Sequence, residues 1–159
     1  VNITVIGTGK IKETYLKKGI AEYERRLRNY GRISIVEVKD EAISEPLSDA
    51  GKERILDREA QRIEAALPRR SFVIALDRRG AMVSSEEWAM HLQKSMNCGH
   101  SHFVYLIGGA LGLHERIKES SHWVLSFSRL TFPHQLMRLI LLEQLYRTAS
   151  ILAGQKYHK

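Results

Sequence analysis

The sequence predicts an α/β fold, a single domain built on a mostly parallel sheet flanked by helices. Three observations carry that expectation. Short β-rich apolar runs alternate with amphipathic stretches at helical spacing, the order that builds parallel sheets. Two of the runs, Phe72-Val73-Ile74-Ala75-Leu76 and Phe103-Val104-Tyr105-Leu106-Ile107, are apolar almost throughout, so both faces of each strand must be covered. The chain has 159 residues, 43% apolar and 27% charged, which is enough to bury a core and too apolar for a disordered tail. No repeat, low-complexity stretch or linker divides it, so residues 1–159 read as one domain.

The elements follow in order. Asn2 to Ile6 alternates as a short strand and leads into Gly7-Thr8-Gly9-Lys10. From about Lys12 to Tyr30, Tyr15, Leu16, Ile20, Tyr23 and Leu27 fall at helical spacing, and Gly31 supplies a stop. Ile33 to Val38 is the second strand. Lys39 to Ala50, which contains Pro46, reads as a loop; Asp49 is expected to cap a polar helix reaching Leu67, with Pro68 ending it. After the strand Phe72–Leu76 comes a turn, Asp77-Arg78-Arg79-Gly80. Ser84-Ser85-Glu86-Glu87 opens a third helix, with acids where the helix dipole favours them. The strand Phe103–Ile107 ends in Gly108-Gly109. A short helix from Glu115 to Glu119 leads to the strand Trp123–Phe127. Pro133 then starts a helix reaching about Leu152, at a position where its missing N–H costs little.

That last helix is apolar nearly all round, from Leu136 and Met137 to Ile151 and Leu152, so it must be buried on more than one side. Its second cover is either the protein's own core or another copy of the chain. A homodimer, pairing like with like across a two-fold axis, is the expectation.

Charge narrows the partner. Twenty-five Lys+Arg against 18 Asp+Glu give +7, an excess that favours a polyanion such as nucleic acid. There is no long basic block, so the excess lies on folded faces; Lys10, Lys12, Arg25, Arg26 and Arg28 gather on the first turn and helix and offer phosphate contacts. No apolar run approaches membrane-spanning length, and Val1 to Gly7 has no basic leader. A single cysteine, Cys98, excludes an intramolecular disulfide and fits a cytoplasmic location. The seven histidines lack metal-ligand spacing, so no metal is expected, and no G-x-S-x-G elbow is present. Gly7-Thr8-Gly9-Lys10 lacks the third glycine of a dinucleotide loop because Lys12 stands there; it reads as a tight turn.

Three loops after buried strands hold more promise: Leu76 to Gly80, Ile107 to Leu113 and Phe127 to Gln135. Ligands of open parallel sheets bind beyond the carboxyl ends of the strands. Glycines there admit close backbone approach, and Phe127, Leu130 and Phe132 offer apolar walls for an adenine. The plainer reading is three strand–helix turns with core aromatics.

Several segments together resemble one family. They are Phe103-Val104-Tyr105-Leu106-Ile107-Gly108-Gly109 with Gly112-Leu113; Leu125-Ser126-Phe127-Ser128 with Thr131-Phe132-Pro133-His134-Gln135; Leu142-Glu143-Gln144-Leu145-Tyr146-Arg147; and the terminal Tyr157-His158-Lys159. With Gly7, Gly9-Lys10 and Glu22-Tyr23, Arg26-Leu27, they resemble the ribosomal RNA large subunit methyltransferase H family over essentially the whole chain. The resemblance implies a SPOUT-class fold with a C-terminal trefoil knot, a homodimer, and a bacterial cytoplasmic enzyme. It implies S-adenosylmethionine as cofactor and N3 of a pseudouridine in 23S rRNA of the assembled ribosome as substrate. Matched position by position, the cofactor contacts fall on Leu76, Gly108, Phe127, Ser128, Arg129, Leu130, Thr131 and Phe132. Ala153 precedes Gly154 where many members carry Arg, and Ala110-Leu111 replaces a commonly polar pair.

Methyl transfer from a sulfonium is an in-line displacement that needs alignment and a dry pocket, while the N3 proton must leave. Tyr157-His158-Lys159 offers hydrogen bonding, a group titrating near neutrality and positive charge. Tyr157 and His158 are therefore the candidate catalytic residues, against the ordinary fate of a chain end as an unstructured tail. The alternative function is a non-catalytic ribosome- or RNA-binding factor using the same basic surface.

Overall fold

The computed structural model describes every residue from Val1 to Lys159. Strands β1 (Asn2–Thr8), β2 (Arg32–Val38), β3 (Phe72–Met82), β4 (His102–Ile107) and β5 (Trp123–Ser126) form one sheet in the order β2-β1-β4-β3-β5. Every neighbouring pair is parallel, as the alternation of strand and helix patterns predicts. The helices are α1 (Thr14–Leu27), α2 (Asp49–Ala66), α3 (Ser85–Asn97), α4 (Glu115–Ser120) and α5 (His134–Leu152).

The two-residue period of the strands divides the core into two layers. Val5, Phe72, Ile74, Phe103 and Tyr105 point to one face, where Ile20 and Leu27 of α1, Trp88 and Leu92 of α3, and Leu141, Leu142 and Leu145 of α5 cover them. Ile6, Val73, Ala75, Val104 and Leu106 point to the other, against Ala60 and Ile63 of α2 and Ile117 of α4. Both β3 and β4 are thus buried on two faces, which is why their sequences carry no polar alternation. Helix α5 packs between α1 and α3.

Several boundaries differ from the sequence reading. Tyr15 is 68% exposed and does not share the buried stripe of Leu16, Ile20 and Leu27. Helix α1 ends at Leu27, and Tyr30 closes a further turn by donating its N–H to the Leu27 carbonyl (2.9 Å). Gly31 is needed because a Cβ there would stand 2.3 Å from the Val1 carbonyl oxygen. Ser48, one residue before Asp49, caps α2 by accepting from the Gly51 N–H; Asp49 sits in the first turn instead. Ser84 caps α3 in a reciprocal box, its Oγ accepting from Glu87 N (3.1 Å) while Glu87 Oε2 accepts from Ser84 N (2.8 Å). Ser84→Ala is expected to cost about 1 kcal/mol, lowering the melting temperature by roughly 2–4 °C; a calorimetric scan checks it.

One glycine explains a motif. A Cβ on Gly7 would stand 2.3 Å from Arg138 Nη2. The Arg138 side chain, only 2% exposed, donates to Glu37 Oε2 (2.5 Å) and to the Gly9 carbonyl (3.0 Å). Gly7, inside β1, therefore makes room for a buried guanidinium from α5, and Gly9 offers it a carbonyl. Strand β1 itself continues to Thr8.

Candidate active site

Because β4, β3 and β5 are neighbours in an all-parallel sheet, the chain leaves all three at one edge, side by side. Leu76, Gly108 and the Phe127–Phe132 run lie at these three exits. The order of strands, which no spacing in the sequence reveals, is what gathers them.

Each exit has its own local cause. At the end of β3, both Leu76 and Ala81 pair with Leu125 of β5, so Asp77 to Gly80 loop out within the strand. The expected turn is there, but as a bulge inside a longer strand. Asp77 Oδ2 accepts from Arg79 N (3.1 Å) to close it. Gly80 passes so near β5 that a Cβ would lie 2.6 Å from the Val124 oxygen. Ser126 Oγ lies 2.9 Å from the Arg78 carbonyl and 3.1 Å from that of Ser128, and so fixes the β5 exit to the bulge.

After β4 the backbone doubles back. Gly112 N donates to the Gly109 carbonyl (3.0 Å), and a Cβ on Gly108 would stand 2.4 Å from the Gly112 oxygen. Gly112 has φ +83°, which L side chains rarely adopt. The β5 exit is mixed in character. Phe127 is half-buried, its ring 5.5 Å from that of Trp88. Ser128 and Phe132 are also half-buried, whereas Arg129 and Thr131 are exposed and Leu130 is 70% exposed. Ser128 Oγ accepts from Leu130 N (3.0 Å). Phe127 and Phe132 are thus ready-made apolar surfaces; Leu130 stands in solvent.

Below the glycine turn lies a carboxylate that sequence reading passed over. Glu59 on α2 is 5% exposed, and its Oε2 accepts from Glu41 N (2.9 Å). Burial pushes its pKa up. Its only signal in the sequence is an acid on the α2 stripe of Ala60 and Ile63.

The C-terminal tail is ordered by its own contacts. Gly154 (φ +68°) reverses the chain after α5, and Gln155 N donates to the Ser150 carbonyl. Tyr157 then lies against Tyr146 (ring centroids 4.7 Å) with the Arg147 guanidinium over its ring (4.9 Å). Its hydroxyl donates to Glu143 Oε1 (3.1 Å) and takes a hydrogen bond from Tyr23 (3.3 Å). Burial, then these partners, raise the Tyr157 pKa well above the ordinary phenol value, so it stays a donor. His158 Nε2 is 2.5 Å from Glu86 Oε1 at the start of α3, and its Nδ1 is 3.1 Å from Arg147 Nη1. Arginine only donates, so Nδ1 accepts and Nε2 carries the proton shared with Glu86. That hydrogen bond lowers the Glu86 pKa.

Tyr157 and His158 are brought together, but in a cluster of their own. Their hydrogen bonds run to α1, α3 and α5, and none joins them to the strand exits. The connection between clusters is α3, which carries Glu86 against His158 and Trp88 against Phe127. Three of the remaining histidines have hydrogen-bond partners: His102 bonds Thr4, His114 caps α4, and His122 accepts from Val73 N and stacks on Phe72. No group of three or more His, Cys, Asp or Glu is arranged to hold a metal ion. No helix is long and apolar enough to cross a membrane.

An open parallel sheet with helices on both faces and glycine-bearing turns at adjacent carboxyl ends defines an α/β protein of the class whose ligands bind beyond the strand ends. The chain belongs to the SPOUT methyltransferase family: the family model "Predicted SPOUT methyltransferase" matches residues 1–158. It is 49% identical to the ribosomal RNA large subunit methyltransferase H of Carboxydothermus hydrogenoformans, over 100% of both chains. Two solved structures share the fold. One is a probable methyltransferase from Bordetella pertussis (TM-score 0.57, 14% identity, 92% of this chain and 95% of that one). The other is a probable methylase family protein from Haemophilus influenzae (TM-score 0.54, 13% identity, 99% and 70%).

Proposed function

We propose that this protein methylates N3 of a pseudouridine in 23S rRNA of the assembled bacterial ribosome, using S-adenosylmethionine, in the cytoplasm. The observation that carries the reading is the adjacency of the three strand exits in a chain that is 49% identical end to end to a large-subunit rRNA methyltransferase. The exits suit the cofactor. The tight Gly108–Gly112 turn leaves no room for a side chain at Gly108, and Leu76, Phe127 and Phe132 are half-buried apolar groups at or just beyond the neighbouring strand ends. Leu76, Gly108 and the run Phe127, Ser128, Arg129, Leu130, Thr131, Phe132 would hold it. Bound there, it supplies a methyl group already activated on a sulfonium.

The chain's own work is alignment and proton handling. In the transfer the N3–methyl bond forms as the sulfur–methyl bond breaks, and the N3 proton leaves to a base. Tyr157, held as a phenol beside Glu143, serves as a hydrogen-bond donor that positions the target base. His158 is the candidate acceptor, and Arg147 must release Nδ1 before that lone pair is free.

The same reading includes one SPOUT domain over residues 1–159, with a C-terminal trefoil knot. The close passage of Gly80 against β5 and the doubled-back turn after β4 favour such threading. It also includes a homodimer. Near the end of α5, Leu145, Ala149 and Leu152 join Val1, Ile3 and Met96 around an apolar hollow of about 270 Å3, a surface suited to a second copy. Leu152→Glu is expected to shift the protein toward monomer in sedimentation analysis.

Titration calorimetry with S-adenosylmethionine tests the cofactor. Gly108→Ala is expected to weaken binding at least tenfold, because the clash with Gly112 must displace the turn. Mass spectrometry of rRNA from cells lacking the protein tests the substrate: one methyl group on a pseudouridine should be missing. Ribosome binding without cofactor binding or methyl loss would favour the non-catalytic factor instead.

A further inference from the structure

Basic residues that look alike in sequence differ once folded. On α1, Arg25 and Arg26 both pair with Glu22 (2.8 and 2.9 Å), whose pKa they hold down to about 2, and Arg28 pairs with Glu24 (3.3 Å). Those charges are largely spent on their own helix. At the opposite extreme, Lys10, Lys12, Arg78 and Arg79 are exposed and form no salt bridge. Their surroundings hold acids that are engaged elsewhere. Asp77 pairs with Lys118, Glu37 with Arg138, and Glu115, which feels the charge of Arg79, with Lys118. The free carboxylates close to this edge are Asp40, beside Gly9, and Glu13, next in sequence to Lys12.

Strand order places these four cations. Lys10 and Lys12 follow β1, and Arg78 and Arg79 stand on the bulge of β3; β4 runs between the two strands. Two strand spacings separate the roots of the pairs, about 10 Å, with the Gly108–Gly112 turn in the gap. Backbone bonds fix both arms: Lys12 N donates to Gln135 Oε1, and Arg78 O accepts from Ser126 Oγ.

We propose that Lys10 and Lys12 on one side, and Arg78 and Arg79 on the other, grip the RNA phosphates flanking a single unstacked nucleotide presented over the glycine turn. A base edge reaches a pocket at the strand ends only when it leaves its stack, and the backbone must then be held on both sides of it. Free cations release counterions on binding phosphate; cations already paired with carboxylates release few. The proposal rests on the rRNA methyltransferase reading.

The test measures binding to ribosomes from a strain lacking the enzyme, and methyl transfer to them, over a range of salt. Lys10→Ala/Lys12→Ala and Arg78→Ala/Arg79→Ala are each expected to reduce the slope of log affinity against log salt by roughly 1.5–2. They should raise KM for ribosomes at least tenfold, with cofactor affinity unchanged. Arg25→Ala/Arg28→Ala is expected to change the slope by less than half as much. Equal slopes for all three pairs, or a larger loss from the α1 pair, would overturn the rim while leaving the methyltransferase reading intact. A wild-type protein that neither binds nor methylates ribosomes would instead remove that reading. Circular dichroism of each variant separates lost contacts from lost fold.

Discussion

Arg138→Ala is expected to lower the melting temperature by about 6–12 °C. The guanidinium is a charged group inside the sheet–helix layer, bonded through Nη1 to Glu37 and through Nη2 to the Gly9 carbonyl, with Nε unpartnered, and seated where Gly7 has no side chain. Removing one member of a buried pair costs about 3–5 kcal/mol, because the other is left without compensation. Glu37 is 39% exposed and keeps part of its hydration, which places the expectation near 3 kcal/mol. At roughly 2–4 °C per kcal/mol for a chain of this size, the shift follows. Arg138→Met fills more of the volume without the charge and should recover part of the loss. A melting temperature within 2 °C of wild type for Arg138→Ala would show that the pair does not hold α5 to β1.

Deleting Tyr157 to Lys159 is expected to reduce methyl transfer by at least 100-fold while changing cofactor affinity by less than threefold. General acid–base and positioning groups contribute about 10² to 10⁴ in rate, and the deletion removes both candidates. Cofactor affinity should survive because no hydrogen bond ties the tail to the strand exits. The tail also packs on Tyr146 and Arg147, so some thermal stability goes with it. Point variants separate the two effects. Tyr157→Phe keeps the ring against Tyr146 but gives up the bond to Glu143; His158→Ala gives up the bonds to Glu86 and Arg147. Full activity of the truncated protein on ribosomes would remove the tail from the mechanism.

Local and periodic features were legible without coordinates. The five strands, the five helices and the parallel arrangement follow from apolar runs and their spacing, because a strand's two faces and a helix's stripe are written at fixed intervals. Errors concentrated where a tertiary contact overrules a local preference. Gly31 looks like a helix stop but answers to the Val1 carbonyl, and Asp77 to Gly80 looks like a strand end but is a bulge that Leu125 pairs across. Tyr15 fits the helical spacing and still faces solvent, since α1 buries a stripe narrower than its apolar residues allow.

For the site, residue types were readable and their meeting was not. The glycine turn, the Phe127–Phe132 run and the Tyr157–His158 tail stand out as strings of letters; nothing local says that β3 lies between β4 and β5. Arg138 is hidden among leucines, and its partner Glu37 is 101 residues away. Glu59 reads as one more acid on a polar helix.

The sequence alone determined the α/β class, the apolar two-sided strands, the basic excess and the stations where chemistry was to be sought. Those depend on composition and short-range period, which the chain carries at every point. Only the tertiary structure decided which strand ends are neighbours, which arginines are already neutralised by carboxylates, and how the tail is held against α5. Those are set by contacts between residues far apart in the chain, where strand order and side-chain pairing, rather than local preference, fix the free energy.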